Sequence, residues 1–175
     1  MTDPLSPNTQ AILLLTAPLI VGNAAGSERP LTPAQYSRLA VRLREVGREP
    51  ADLLGDGADE LLRECATIAD VEQMRRLIER GFLLSQAVER WSSRAIWVMS
   101  RADVAYPRRL KKRLGIAAPA VLYGCGDPSL MDAGGLAVVG SRDVDDMLIA
   151  YTEAVGQLAA QSERAIVSGG ARAAE

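Results

Sequence analysis

The chain contains no histidine. That excludes imidazole general bases, histidine-containing triads and most zinc and haem sites. Its two cysteines, Cys65 and Cys125, lie far apart and suggest neither a zinc spacing nor a disulfide framework. A reduced, cytoplasmic setting fits them. Aromatic residues make up only 4% of the sequence, and Tyr151 is the single one beyond Tyr123. A platform for stacking bases is therefore not expected in the C-terminal part. The net charge of −2 gives no global attraction to nucleic acid or acidic membranes, so any anion binding must be local. Long hydrophobic runs are also missing. Ala11–Val21 is too short to span a bilayer, follows Asp3 rather than a basic residue, and is interrupted by Pro18. It reads as a buried helix, and no membrane partner is expected.

What is present is an ordinary globular composition, 48% apolar and 24% charged, over 175 residues. That length suits one large domain or two small ones. Residues 1–10 are polar with two prolines and read as a loose lead-in. Thr32-Pro33-Ala34-Gln35 is a strong helix start, with a capping threonine, a first-turn proline and a glutamine that completes a capping box. Tyr36, Leu39, Ala40, Leu43 and Val46 continue at helical spacing until Gly47. Residues 50–66 read as short helices carrying Leu53, Leu54, Leu61 and Leu62. Asp70-Val71-Glu72-Gln73 repeats the capping-box pattern ahead of Met74, Leu77 and Ile78, and a further helix runs over about 83–92. The pair around Gly81 reads as a helix–hairpin–helix or SAM-like arrangement. Such hairpins contact DNA phosphates in some settings and are plain helix packing in others.

Composition changes after Ser93, which sets expected domains of 1–92 and 93–175. Ala95–Met99 and Val121–Tyr123 read as strands, with a short helix between them that has Pro107 in its first turn. Residues 88–115 hold eight Lys or Arg against two acids, Glu89 and Asp103. Arg108, Arg109, Lys111, Lys112 and Arg113 form an accessory patch that could meet phosphates, or a solvated helix face whose buried side is Leu110 and Leu114.

Gly134–Glu175 reads as strand, glycine turn, helix, strand, glycine turn. The apolar run Leu136–Val139 ends at Gly140-Ser141-Arg142. Leu148, Tyr151, Val155, Leu158 and Ala159 recur at helical spacing. Ala165–Val167 ends at Ser168-Gly169-Gly170-Ala171-Arg172. In a parallel sheet both turns lie at one edge, where such folds bind ligands. Gly140, Gly169 and Gly170 let backbone approach a phosphate, Ser141 and Ser168 offer hydroxyls, and Arg142 and Arg172 can grip phosphate oxygens bidentately. A helix starting near Val144 would add its positive end. Each turn alone is also readable as a tight β-to-α connection. The arginine at matched positions after both favours anion binding.

Taken in order, four stretches resemble one family: Asp103…Tyr106-Pro107…Leu110, then Val121-Leu122-Tyr123-Gly124…Gly126-Asp127, Val138-Val139-Gly140-Ser141-Arg142, and Ser168-Gly169-Gly170-Ala171-Arg172. They are similar to the DNA-processing protein A family, and Leu77-Ile78-Glu79-Arg80-Gly81 extends the likeness into the helices. The resemblance implies an α/β protein, with a small helical SAM-like domain followed by a Rossmann-like parallel sheet. It implies binding of single-stranded DNA and delivery of that strand to a RecA-type recombinase during natural transformation, without catalysis or cofactor, and with homodimerisation. Phosphate contacts carry no base identity, so such binding is independent of sequence and weakens with salt.

Three departures from the family pattern stand out. Asp143, Asp145 and Asp146 follow Arg142 and repel phosphate. Ala173-Ala174-Glu175 stands where the family continues Gly-(Ile/Val/Ala)-Asp. The βαβ unit stops at its second strand, so the sheet is expected to be incomplete, and the chain a fragment. The competing readings are a nucleotide-sensing module in a regulatory or defence system and an interaction domain with a degenerate pocket. A nucleotide phosphoribohydrolase would need a further glycine-rich motif with a glutamate, PGGxGTxxE, which the sequence does not contain.

Overall fold

A computed structural model of the chain describes residues 5–21, 24–25, 28–141 and 144–169. Two compact units divide after Gly126, Met1–Gly126 and Asp127–Glu175. The change of composition at Ser93 and the division by compactness thus fall at different places.

The first unit is built on α1 (Pro7–Thr16). The Ser6 hydroxyl oxygen caps it by accepting from the Thr9 amide, and Pro7 occupies the first helical position. The helix ends because Ala17 precedes Pro18 and takes extended backbone, with φ −85° and ψ 137°. The sequence expectation needs correcting at both ends: the helix begins inside the segment read as a lead-in and stops before Ile20. Ile20–Val21 (β1) instead pairs antiparallel with Ala24–Ala25 (β2).

Helix α1 is buried on every side, with Ala11, Leu13 and Leu15 fully enclosed. Ile12 and Leu15 pack with Leu39, Leu43, Leu62, Met74 and Leu77. Leu13 and Leu14 join a second cluster with Leu19, Leu84 and Ala87. Each enclosed leucine contributes roughly 1.5–3 kcal/mol.

Around this helix stand α2 (Pro33–Glu45), a 3₁₀ turn at Pro50–Leu54, α3 (Ala58–Glu64), α4 (Val71–Ile78) and α5 (Gly81–Ser92). The Thr32–Gln35 capping box forms in full, and Gly47 follows with φ +69°. At Asp70 only half the expected box forms. Its carboxylate accepts from the Gln73 amide at 2.7 Å, but the Gln73 side chain donates to the Arg29 carbonyl instead. Helix α5 begins at Gly81, two residues before the expected start.

A helix buried at its C-terminus needs partners for its last carbonyls. Arg80, between α4 and α5 and only 8% exposed, supplies them. Its Nη2 donates to the carbonyls of Leu14 and Ala17, and its Nε to that of Leu77. Burial pulls the guanidinium below its ordinary range.

β3 (Trp97–Ser100) and β4 (Val121–Gly124) pair antiparallel, Trp97 opposite Gly124 and Ser100 opposite Val121. Between them lie α6 (Arg108–Leu114) and a 3₁₀ turn at Gly115–Ala117. The connection folds back on itself: the Arg101 amide donates to the Ala120 carbonyl at 3.0 Å and the Tyr106 hydroxyl to that of Pro119 at 2.8 Å. The second strand therefore returns against the first, and these two strands do not enter the expected parallel sheet.

Just after β3, Asp103 reaches the N-terminus of α1. It accepts from the Ser6 hydroxyl at 2.8 Å, the Thr9 hydroxyl at 2.7 Å and the Ser100 amide at 2.6 Å. The Ser100 hydroxyl lies 2.8 Å from that of Thr9, and both residues are buried. Partial burial alone would raise the Asp103 carboxyl. The hydrogen bonds from Ser100, Thr9 and Ser6 outweigh it and hold the group below the usual carboxylate range.

The second unit contains α7 (Leu130–Ala133), β5 (Leu136–Val138), α8 (Asp146–Gln161) and β6 (Ile166–Ser168). β5 and β6 are parallel. Among the described residues of this unit only Ala159 is buried, while Leu136, Tyr151, Leu158 and Val167 stay exposed. The protein is mixed α/β. Its described strands form three separate two-stranded sheets rather than one parallel sheet.

Two outcomes are expected. Arg80→Ala leaves buried carbonyls unpaired, at about 1–3 kcal/mol each, and lowers the urea midpoint at neutral pH. Because the folded Asp103 ionises at lower pH than its unfolded counterpart, its stabilisation is complete above about pH 4 and is lost as pH falls through the folded value. Asp103→Asn removes that part of the acid dependence, read as a flatter stability profile below about pH 5.

Candidate nucleic-acid interface

The register of β5 and β6 fixes where the glycine turns emerge. Leu136 pairs with Ile166, Ala137 with Val167 and Val138 with Ser168. Parallel strands in this register end together, about 4.8 Å apart. Val138 thus stands beside Ser168, and the chain runs on from these strand ends into Gly140 and into Gly169. The parallel pairing of the two strands is the one that the spacing predicts. Arg142, Gly170 and Arg172 lie outside the described residues, as do Asp143, Ala173 and Glu175.

Glycine at these turns is not demanded by packing. A β-carbon on Gly140 or Gly169 would meet nothing within 4 Å. Gly124 differs, because a β-carbon there would collide with the Trp97 ring. The same indole donates to the Gly126 carbonyl at 2.9 Å, and Gly126 itself has φ +82°. Asp127 accepts from the Ser129 amide at 2.9 Å, and its hydrogen bonds with Ser129 hold the carboxyl below the usual range.

The start of α8 departs from expectation. The helix begins at Asp146, and the Asp145 carboxylate caps it by accepting from the Leu148 amide at 2.8 Å. Asp146 adds a second acid in the first turn. Two carboxylates thus occupy the positive end that the sequence offered to a phosphate.

The accessory cations sit on α6. Arg108, Arg109, Lys111, Lys112 and Arg113 are all exposed. Leu114, expected on the buried side, is 44% exposed, and Leu110 is half-buried. The Lys111 ammonium donates to the Arg101 carbonyl at 3.1 Å.

Residues 97–174 match the family model of DNA recombination-mediator protein A. Over this segment the chain is similar to that family. Neither a curated protein nor a solved structure matches the chain. The matched segment contains all four stretches singled out in the sequence, and its likeness is to proteins of DNA recombination and processing.

Within the family segment the motifs divide by what they touch. Asp103, Tyr106 and Gly124 hold the hairpin and its connection together. A β-carbon on Gly140 or Gly169 would face unfilled space. Sequence reasoning missed the polar cluster of Ser6, Thr9 and Ser100 and the buried role of Arg80. One signal was available: hydroxyl residues and an arginine placed directly against apolar runs that water cannot reach.

The two classes of glycine give opposite expectations in urea titration. Gly124→Ala overpacks the Trp97 contact and costs about 1–3 kcal/mol. Gly140→Ala changes stability by less than about 0.5 kcal/mol.

Proposed function

We propose that this protein binds single-stranded DNA through its phosphates at the paired glycine turns, as a recombination mediator. The in-register parallel pairing of Val138 with Ser168 carries the reading. Both glycine turns follow from these paired strand ends, and a β-carbon on Gly140 or Gly169 would meet nothing within 4 Å, which supports the reading. Arg142 and Arg172 follow these turns in sequence and are the proposed bidentate anchors. Backbone amides near the glycines supply further donors.

In this reading β5–α8–β6 is one βαβ unit of a Rossmann-like sheet, and the helices of the first unit are its SAM-like companion. The protein acts without catalysis, in the cytoplasm, and hands the bound strand to a RecA-type recombinase during natural transformation, as a homodimer. No helix among the described residues is long and apolar enough to cross a membrane. A nucleotide-sensing role uses the same turns and differs in what saturates them.

Fluorescence anisotropy with an unstructured oligonucleotide at two salt concentrations tests the proposal. Binding is expected to weaken with salt, independent of sequence. Replacing Arg142 and Arg172 together by alanine should cost about 1–3 kcal/mol for each lost charged contact. Unchanged affinity in the double variant removes both from the site. Equal affinity for a mononucleotide favours nucleotide sensing instead.

A further inference from the structure

A groove on the first unit gathers three cations that neither the glycine turns nor the core uses. It encloses about 250 Å³ between α2, the segment after β3, and the 3₁₀ turn at Gly115–Ala117. Arg44, Arg101 and Lys111 line it, with Ser37, Val41 and Ile116, and no carboxylate does. Ser37, Val41 and Arg44 occur at i, i+4 and i+7, so they share one face of α2.

The groove is built rather than incidental. The Ser37 hydroxyl donates to the Ile116 carbonyl at 3.0 Å, which ties α2 to the turn. Nη1 of Arg101 donates to the same carbonyl at 3.1 Å and to that of Ala118 at 3.3 Å. Only one edge of the Arg101 fork is spent in this way, and the Nε–Nη2 edge keeps donors for a bidentate acceptor. Lys111 is fixed by its bond to the Arg101 carbonyl at 3.1 Å and retains two further protons. Arg44 closes the cluster without an ion pair among the described residues. Its neighbour Glu45 is engaged by Arg42 at 3.5 Å.

Three positive charges held around an acid-free hollow repel one another. That cost is recovered when an anion enters. A guanidinium fork beside a second cation is the arrangement that suits a phosphate. The site is continuous with α6, because Lys111 belongs to both, and α6 presents Lys112 and Arg113 to solvent. An anion with further charges on either side fits this track better than an isolated one does.

We propose that the Arg44–Arg101–Lys111 groove is a second phosphate site, which seats one backbone phosphate of a single-stranded nucleic acid that continues along α6. The site lies on different residues from the glycine turns and stands independently of them.

The test uses the full chain, a fluorescent oligo-dT and, separately, a thymidine mononucleotide. Arg44→Gln and Lys111→Gln are the variants, since neither side chain supports the core, and urea midpoints confirm that each folds like the parent. The double variant should bind oligo-dT about tenfold or more weakly. Its log–log salt dependence should become shallower by roughly 0.7 per lost phosphate contact. The same losses with Arg142→Ala and Arg172→Ala silent would support the groove while rejecting the glycine-turn reading. Losses confined to the turn variants would overturn the groove and leave that reading intact. Absence of oligonucleotide binding by the parent at low salt overturns both. A mononucleotide that binds the groove as tightly as the oligonucleotide overturns the strand and makes the groove a nucleotide site.

Discussion

A helix enclosed on all sides has backbone ends that water cannot serve, and the first unit depends on how α1 solves this. Its N-terminus meets the Asp103 carboxylate through Ser6 and Thr9, and its C-terminal carbonyls meet the Arg80 guanidinium. The signs match the helix macrodipole, with negative charge at the amino end and positive at the carboxyl end. Buried Arg80 and half-buried Asp103 are each offset by several hydrogen bonds rather than by one partner, which is the condition for withdrawing a charge from water. The two contacts also dock the rest of the unit. Asp103 brings in the β3–β4 hairpin, and Arg80 brings in the junction of α4 and α5. The apolar clusters on the two sides of α1 then close over a helix already fixed at both ends.

This changes what the family motifs mean. Asp103 and Tyr106-Pro107 carry the family resemblance when read as letters. In the fold their polar atoms are consumed internally, by α1 and by the Pro119 carbonyl. Gly124 is glycine because an indole lies on it. The glycines at 140 and 169 have no such internal reason. A recurrent motif residue whose side chain is satisfied inside the fold accounts for its own presence; one that faces empty space needs something outside.

The net charge of −2 conceals a separation of charge within the first unit. Asp52, Asp56, Glu60 and Glu64 line one hollow of about 520 Å³, in which Arg48 is the sole cation. The groove at Arg44, Arg101 and Lys111 has the opposite character. Potential at a surface is set by the charges within about a Debye length, roughly 8 Å at physiological salt. An acidic protein can therefore present a local cationic track without being basic overall.

The Thr32 cap, the helices at 33–45 and 71–78 and the βαβ order were all legible from residues. Each depends on neighbours within a few positions, through capping, 3.6-residue periodicity or turn chemistry. The end of α1 was misplaced because the apolar run outweighed the pre-proline constraint at Ala17. The antiparallel return of β4 was missed because it rests on bonds between Arg101 and Ala120 and between Tyr106 and Pro119. The cationic groove was legible only in part. Arg101 and Lys111 belong to the basic stretch, but Arg44 lies 57 positions before Arg101 and no local pattern joins them. Sequence by itself determined which segments are helices, which carry glycine turns, and which family they resemble. Tertiary structure decided which charges are buried as supports and which converge on open space. That choice rests on desolvation and on distances between residues remote in the chain, and neither is a property of local sequence.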